Sequence, residues 1–196
     1  DRRDESLFCA RDRYGVKPLY VAERSGLLLF ASEAKALLEH PACPTALDRE
    51  ALVEYFTFQN IFTDRTFFGG IRLLPPGSFL RVAVDAGGRI ERRRWWDFAF
   101  REPDDPIDER AATEELTRLF QQAVIRQLVS DVPVGAYLSG GIDSSSIAAI
   151  AARTQPDFTT FTVGFDLHSA SGLELGFDER ERAEHLSYVY KTEHYE

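Results

Sequence analysis

Over its first hundred positions the chain alternates short apolar runs with charged or Gly/Pro-bearing breaks, the spacing of strands joined by turns. Leu7-Phe8-Cys9-Ala10 predicts a buried strand that stops at the charged Arg11-Asp12-Arg13. Leu19 to Ala22 predicts a second strand and Leu27 to Ala31 a third, with Gly26 marking the turn between them. Ser32 is placed to cap a short helix, Glu33 to Glu39. Asp48 is placed to cap another that runs from Arg49 to Phe56. Short oxygen-bearing side chains suit these positions because they accept from the first free amides of a helix. Ile71 to Leu74 runs into Pro75-Pro76-Gly77, a strong turn. Phe79 to Val84 alternates, Asp85 to Gly88 turns and Arg89 to Trp96 returns, which predicts a hairpin.

The rhythm changes after Glu102-Pro103-Asp104-Asp105-Pro106, an acidic, Pro-broken stretch without apolar residues. Leu116, Leu119, Phe120, Ala123, Val124 and Leu128 then recur at three- and four-residue steps, predicting a helix from Asp108 to Val129. The continuous run Val132 to Leu138 reads as a fully buried strand of the parallel type. Ser139-Gly140-Gly141 interrupts it, and an Ala- and Ile-rich helix follows from Asp143 to Arg153. Phe158 to Phe165 predicts a second strand, Phe177-Asp178 opens a helix to Tyr188, and His194-Tyr195 opens a third strand. Strand–helix–strand–helix–strand is the order of an α/β nucleotide-binding sheet. The expected organisation is a β-rich region over 1–102, a linker over 103–107 and an α/β region over 108–196.

Composition narrows the function classes. The formal net charge of −9 opposes a broad nucleic-acid surface, and Arg92-Arg93-Arg94 reads as a solvated stretch at a strand end. Cys9 and Cys43 form no CxxC pair, so neither a zinc site nor a disulfide framework is expected, and a reducing cytoplasm fits. No apolar run approaches the ~18 residues of a membrane span. His40, His168, His185 and His194 lie scattered and read as solvated or structural. The chain starts at Asp1, holds no Met and stops at Glu196 inside a strand-like segment, so both ends are expected to be cuts through a longer protein.

The chemistry concentrates in Ser139-Gly140-Gly141-Ile142-Asp143-Ser144-Ser145. A loop at the carboxyl end of a sheet strand, opening a helix, is where open α/β folds bind ligands. Its glycines admit a close approach. Its amides and the helix dipole favour an anion, and Ser139, Ser144 and Ser145 add hydroxyls. Asp143 would repel phosphates unless a Mg²⁺ ion stood between them. A bland reading has Ser-Gly-Gly as a plain helix start capped by Asp143-Ser144-Ser145. The loop is not the GxxxxGKS/T phosphate loop, because no Lys follows the glycines. It resembles the SGGxDS loop of the ATP-pyrophosphatases, which cleave ATP between its α- and β-phosphates and hold the departing pyrophosphate.

Ser130 to Ser145 is similar, in register, to the "SDVPVGxxLSGGxDSS" segment of glutamine-dependent asparagine synthetases. Ala10-Arg11-Asp12-Arg13-Tyr14-Gly15-Val16-Lys17-Pro18-Leu19-Tyr20 resembles the "ARDRxGxKPLY" segment of class II glutamine amidotransferase domains. Phe30 to Leu37 is similar to "FASExKALL", Leu74 to Gly77 to "LPPG", and Trp95-Trp96 to a closing "YW". Phe161 to Phe165 and Phe177-Asp178-Glu179 resemble the family's second synthetase strand and its "FDE". The resemblance implies an α+β remnant of a glutaminase of the N-terminal-nucleophile type, followed by the start of a parallel-sheet ATP-pyrophosphatase domain. It implies ATP and Mg²⁺ as cofactors, with aspartate and glutamine as substrates of the whole enzyme and β-aspartyl-AMP as its intermediate. It implies no nucleic acid and no membrane, and it permits a homodimer. Ser139, Gly140, Gly141, Asp143, Ser144 and Ser145 would hold pyrophosphate, with Asp143 on Mg²⁺, while Leu138 and Val163 would flank adenine or ribose. Arg11-Asp12 and Lys17 read as a turn bearing surface salt bridges, or as residues near a domain interface. No catalytic residue is expected within the chain. The family's N-terminal Cys nucleophile has no counterpart here, Cys9 matches an ordinary hydrophobic position, and the "SGEGxDE" segment would lie beyond Glu196. The chain alone is therefore expected to be inactive. Two other readings stay open: a relative with another acceptor, such as a β-lactam synthetase, and a non-catalytic MgATP-binding homologue. The stretch 167–176 looks longer than in the simplest members.

Overall fold

The structure is a computed structural model that describes residues 1–3, 5–24, 26–43, 45–83, 88–102, 106–164 and 178–196. It divides into two compact units, Asp1–Arg101 and Glu102–Glu196, each of mixed helix and strand.

The first unit holds two three-stranded antiparallel sheets. One has the order β1 (Ser6–Ala10), β5 (Ser78–Ala83), β6 (Arg89–Arg94). The other has the order β3 (Leu27–Ala31), β2 (Tyr20–Arg24), β4 (Ile71–Leu73). Alternation along β2 decides its two cores. Val21 packs with Leu74, Leu80, Cys9, Val82 and Ile90 in a cluster drawn from both sheets. Ala22 turns the other way, to Ile71, Leu37 and Cys43, so α1 (Ala34–Leu38) covers that face. The same alternation corrects the expectation for Leu7 to Ala10. The strand forms, but Phe8 is exposed and lies against Phe79 with ring centroids 5.2 Å apart, because its neighbour Cys9 takes the inward position.

Both caps can be checked. Asp48 precedes α2 (Arg49–Phe58) and its carboxylate accepts from the amides of Glu50 and Ala51, both at 3.1 Å. The cap of α1 is Glu33 rather than Ser32, and it makes no side-chain capping bond. Ser32 stands one position too early, and the Glu33 carboxylate is drawn to Lys35 at 2.6 Å. The Pro75-Pro76-Gly77 turn forms as expected. Gly77, at φ +61, accepts the amides of Trp95 and Trp96, and a side chain there would strike the Trp96 carbonyl. The hairpin of β5 and β6 pairs from Ser78↔Arg94 to Ala83↔Arg89. Of its expected turn, Asp85 to Gly88, the first three residues lie outside the described residues, while Gly88, at φ +74, donates its amide to the Ala83 carbonyl. Within β6, Arg92 pairs with Glu23, and Arg94 pairs with Asp97 just beyond the strand.

Among the described residues Arg11 and Asp12 make no salt bridge. The Arg11 guanidinium is buried and donates to three carbonyls: Lys17 at 2.9 Å, Leu74 at 2.6 Å and Gly15 at 2.8 Å. The Asp12 carboxylate accepts the amides of Tyr14 and Val16. These bonds hold its carboxyl below the usual range, that of Val16 most strongly. The turn is stapled by side-chain-to-backbone bonds because its folded-back carbonyls and amides have no ladder partner.

The second unit is one parallel sheet with helices. β7 (Gly135–Tyr137), β8 (Thr159–Phe161) and β9 (Glu193–Tyr195) pair in that order, with Ala136↔Thr160↔His194 in register. α3 (Glu109–Gln127), α4 (Ile142–Thr154) and α5 (Arg180–Tyr190) are the helices. Asp108 caps α3 through the amides of Arg110 and Ala111. Val124 of α3, Ala151 of α4 and Phe158 form one core cluster, while Leu138, Ala148 and Ala183 form another between α4, α5 and the strand end.

The expected strand Val132 to Leu138 is shorter and not fully buried. Only three residues pair with β8, Val132 is exposed, and Tyr137 is 78% exposed. Tyr137, Phe161 and Tyr195 align across the three strands on the face opposite the helix-packed residues, with Phe161 and Tyr195 stacked at 5.7 Å. β8 likewise spans three residues rather than Phe158 to Phe165, the last of which lies outside the described residues.

Candidate functional site

The segment Ser139 to Ser145 connects β7 to α4 and folds on itself through its own hydroxyls. The Ser139 amide donates to Ser144 Oγ at 3.2 Å, and the two hydroxyls are 2.9 Å apart. Ser144 Oγ lies 3.3 Å from the Gly141 carbonyl, and the Gly141 amide donates to Ser139 Oγ at 3.4 Å. Gly140 takes φ +74, where L side chains carry strain. A Cβ at position 140 would also lie 2.6 Å from Arg182 Cβ, so α5 backs directly onto the loop. The cap of α4 is Gly141, in extended conformation and without a side-chain capping bond. The first helical bond runs from the Ser145 amide to the Gly141 carbonyl at 3.0 Å. Asp143, Ser144 and Ser145 therefore sit inside the first turn rather than capping it. The amides of Ile142, Asp143 and Ser144 precede that first bond and have no intrahelical acceptor, and the dipole adds positive potential there.

Asp143 is exposed, and its carboxylate makes no hydrogen bond or ion pair among the described residues. Ser145 is buried beside Ala148 on the packed face of α4, and its Oγ has no partner. The Leu138 side chain is 1% exposed and belongs to the helix–strand core. Its amide donates to the Phe161 carbonyl, and its carbonyl accepts from Thr162 Oγ1 at 2.5 Å. Thr162, which sequence reasoning passed over, thus ties the ends of β7 and β8 together. Val163, one residue further, is 73% exposed.

Two cations of α5 frame this strand end. Arg180 is gripped by Asp178, Nε to Oδ1 at 2.9 Å and Nη2 to Oδ2 at 2.6 Å, and this partner lowers the Asp178 pKa. A side chain at Gly164 would meet the distal part of the Arg180 side chain, which would have to shift. Arg182, with Glu181, His185, Leu186 and Gly140, lines a cavity of about 530 Å³ beside the loop. Arg182, one residue before the buried Ala183, was not singled out in the sequence. Phe177, His168 and the stretch 167–176 lie outside the described residues.

Elsewhere, His40 and His185 are exposed. His194 instead faces Thr160, Nδ1 to Oγ1 at 3.0 Å. Cys9 is half-buried in the sheet core, where burial pushes its thiol pKa up, the opposite of an activated nucleophile. Among the described residues no group of three or more His, Cys, Asp or Glu could hold a metal. No described helix is long and apolar enough to cross a membrane.

Comparison with known proteins agrees with both halves of this description. The model of the glutamine amidotransferase domain family matches residues 1–96, and the asparagine synthase family model matches residues 115–196. A putative asparagine synthetase (glutamine-hydrolyzing) of Mycobacterium tuberculosis is 34% identical over 200 residues, covering all of this chain and 31% of the relative. Asparagine synthetase (glutamine-hydrolyzing) 3 of Bacillus subtilis is 42% identical over 153 residues, 78% of this chain and 24% of the relative. A protein named amidase chyE, from Penicillium rubens, is 36% identical over 157 residues, 78% of this chain and 22% of the relative. The chain thus spans less than a third of the length of these curated relatives. An amidotransferase match followed by an asparagine synthase match, in the order found in relatives that align across both, means that the chain belongs to the family of glutamine-hydrolysing asparagine synthetases.

Proposed function

We propose that the chain is the junction region of an ATP-dependent amidotransferase that makes asparagine from aspartate with glutamine-derived ammonia. In this reading 1–102 is the later part of a glutaminase domain of the N-terminal-nucleophile type. Residues 108–196 begin an ATP-pyrophosphatase domain, and 103–107 link the two. The observation that carries the reading is the Ser139–Ser145 loop. It closes a parallel strand with a left-handed glycine and turns the unpaired amides of α4 outward. Such a site suits the β,γ-phosphates of ATP.

Each residue then has a task. The amides of the loop and first turn orient the pyrophosphate moiety, and the paired hydroxyls of Ser139 and Ser144 donate to it. Ser145 packs on the buried side of the first turn. Val163 offers exposed apolar surface to adenine or ribose at the end of β8, while Leu138 sets the strand end from within the core. Asp143, without a partner among the described residues, fits a Mg²⁺ ion held by one carboxylate with phosphate oxygens and water completing the shell. When bound, that ion would offset phosphate charge and favour departure of pyrophosphate from the α-phosphate. The aspartate β-carboxylate would attack the α-phosphorus, giving β-aspartyl-AMP, and ammonia would then displace AMP. The whole protein would work on small molecules in the cytoplasm, without nucleic acid or membrane, as a monomer or homodimer.

The test is ATP–pyrophosphate exchange by the full-length protein. Aspartate-dependent exchange is expected, and Asp143→Ala should reduce it at least about a hundredfold, the loss of a ligand to a charge-neutralising ion at the reacting phosphates. Exchange that survives this substitution removes the metal role of Asp143. The likeness to a relative named an amidase favours a second reading, an amidotransferase with another carboxylate acceptor. Exchange that ignores aspartate but responds to a different carboxylate would select it.

A further inference from the structure

The phosphate loop lacks a cation of its own. No Lys follows the glycines, and Asp143 adds a negative charge inside the first turn. Departing pyrophosphate carries several negative charges, more than backbone amides and one divalent ion balance. Such sites ordinarily include a Lys or Arg clamp. We propose that Arg182 is that clamp, a binding residue delivered to the loop from α5 rather than from the loop's own helix.

Three observations support it. The loop and the Arg182 stem meet: Gly140 has room for no side chain because Arg182 Cβ stands where one would go, so the Arg182 stem begins at the loop. The side chain is uncommitted, being exposed and making no ion pair among the described residues. Arg180, the other cation at this end of α5, is instead occupied by a two-point bond to Asp178. There is also space, since the cavity that Arg182 lines with Gly140 and His185 opens beside the loop and has about 530 Å³, within the usual range of small-ligand pockets. Glu181 on the same rim keeps the empty pocket from being strongly cationic. A magnesium complex of pyrophosphate, with its smaller net charge, therefore suits it better than the free anion.

This inference rests on the loop being a pyrophosphate site, and the experiment separates the two claims. Binding of magnesium pyrophosphate and of AMP to the full-length protein is measured by calorimetry for the parent, Arg182→Gln and Arg182→Lys, with melting temperatures as a folding check. Arg182→Gln should weaken pyrophosphate by roughly ten- to a hundredfold, the scale of a charge-assisted hydrogen bond, and leave AMP within about twofold. Arg182→Lys, which keeps stem and charge but not the fork, should lie between. The salt dependence of pyrophosphate binding should also become shallower in Arg182→Gln. If the parent binds pyrophosphate and Arg182→Gln binds it equally well, the role of Arg182 is wrong and the loop stands. If the parent binds no pyrophosphate, the loop reading fails and this inference fails with it.

Discussion

At residue 140 two constraints coincide: a left-handed backbone, and the Cβ of Arg182 on α5 too near for a second Cβ. Gly140→Ala must therefore relieve strain by moving the loop or α5. A non-Gly residue held in such a conformation costs on the order of 1–3 kcal/mol. The expected result is a lower melting temperature together with at least tenfold weaker pyrophosphate exchange, read in the full-length protein. Gly141→Ala is the control, because Gly141 has negative φ and only Ser139 Oγ nearby at 3.3 Å. It should be much milder. The motif letters Ser-Gly-Gly were readable in the sequence, but they do not say which glycine is obligatory. That follows from α5, which arrives some forty residues later. Arg11 teaches the same lesson. In a run of charges it looked like a solvent-facing group, yet it is buried against three carbonyls that the turn leaves without partners.

At the level of elements, the local cap signal worked for α2 but not for α1, where Ser32 stands one position too early. Asp48 was identifiable, because an acceptor one step before a helix needs nothing beyond that helix, whereas Asp108, read as the first helical residue, turns out to be the cap of α3. Asp48 also meets Arg65 at 2.9 Å, a contact that only folding creates. The amide of Ala51 leads the interactions that depress the Asp48 pKa, with Arg65 and the amide of Glu50 adding to it. A carboxyl with a folded-state pKa below its unfolded value stabilises the fold fully above the unfolded pKa of about 3.9. That contribution is lost as pH falls through the lower folded value. Asp48→Asn keeps a capping oxygen but cannot titrate. Its stability should be lower than the parent's at pH 7 and converge toward it as the pH is lowered below about 4, followed by urea unfolding. Asp48→Ala should cost about 1 kcal/mol at neutral pH through the lost cap. Identical pH profiles for parent and Asp48→Asn would exclude this role. Strand burial was less legible than helix caps. Val132 to Leu138 is a continuous apolar run, and such runs fit strands buried on both faces. Which face is covered depends on helices elsewhere in the chain, and here they pack on the Ala136–Leu138 side and leave Tyr137 out.

For the whole molecule, the cores of the two units are separate sets of residues: Val21, Leu80 and Ile71 in one, Leu138, Ala148 and Phe158 in the other. Leu80→Ala removes a fully buried side chain and should destabilise the first unit by about 2–5 kcal/mol. Hydrogen exchange should then show faster opening for peptides within Asp1–Arg101 and unchanged protection at α4 and β8. Equal loss of protection in both units would show that they unfold as one. The chain by itself determined what is local or patterned. That includes the two rhythms on either side of an acidic Pro-broken stretch, the capped helices, the hairpin and the loop whose residue types suit an anion, since these need only neighbours a few positions apart. Tertiary structure decided what depends on distant segments meeting. Examples are the faces of β1 and β7 that are covered, the burial of Arg11, the joining of two strand ends by Thr162, and the placing of Arg182 against Gly140. Side-chain burial and close backbone approach are properties of packed pairs, and no single stretch of sequence contains both partners.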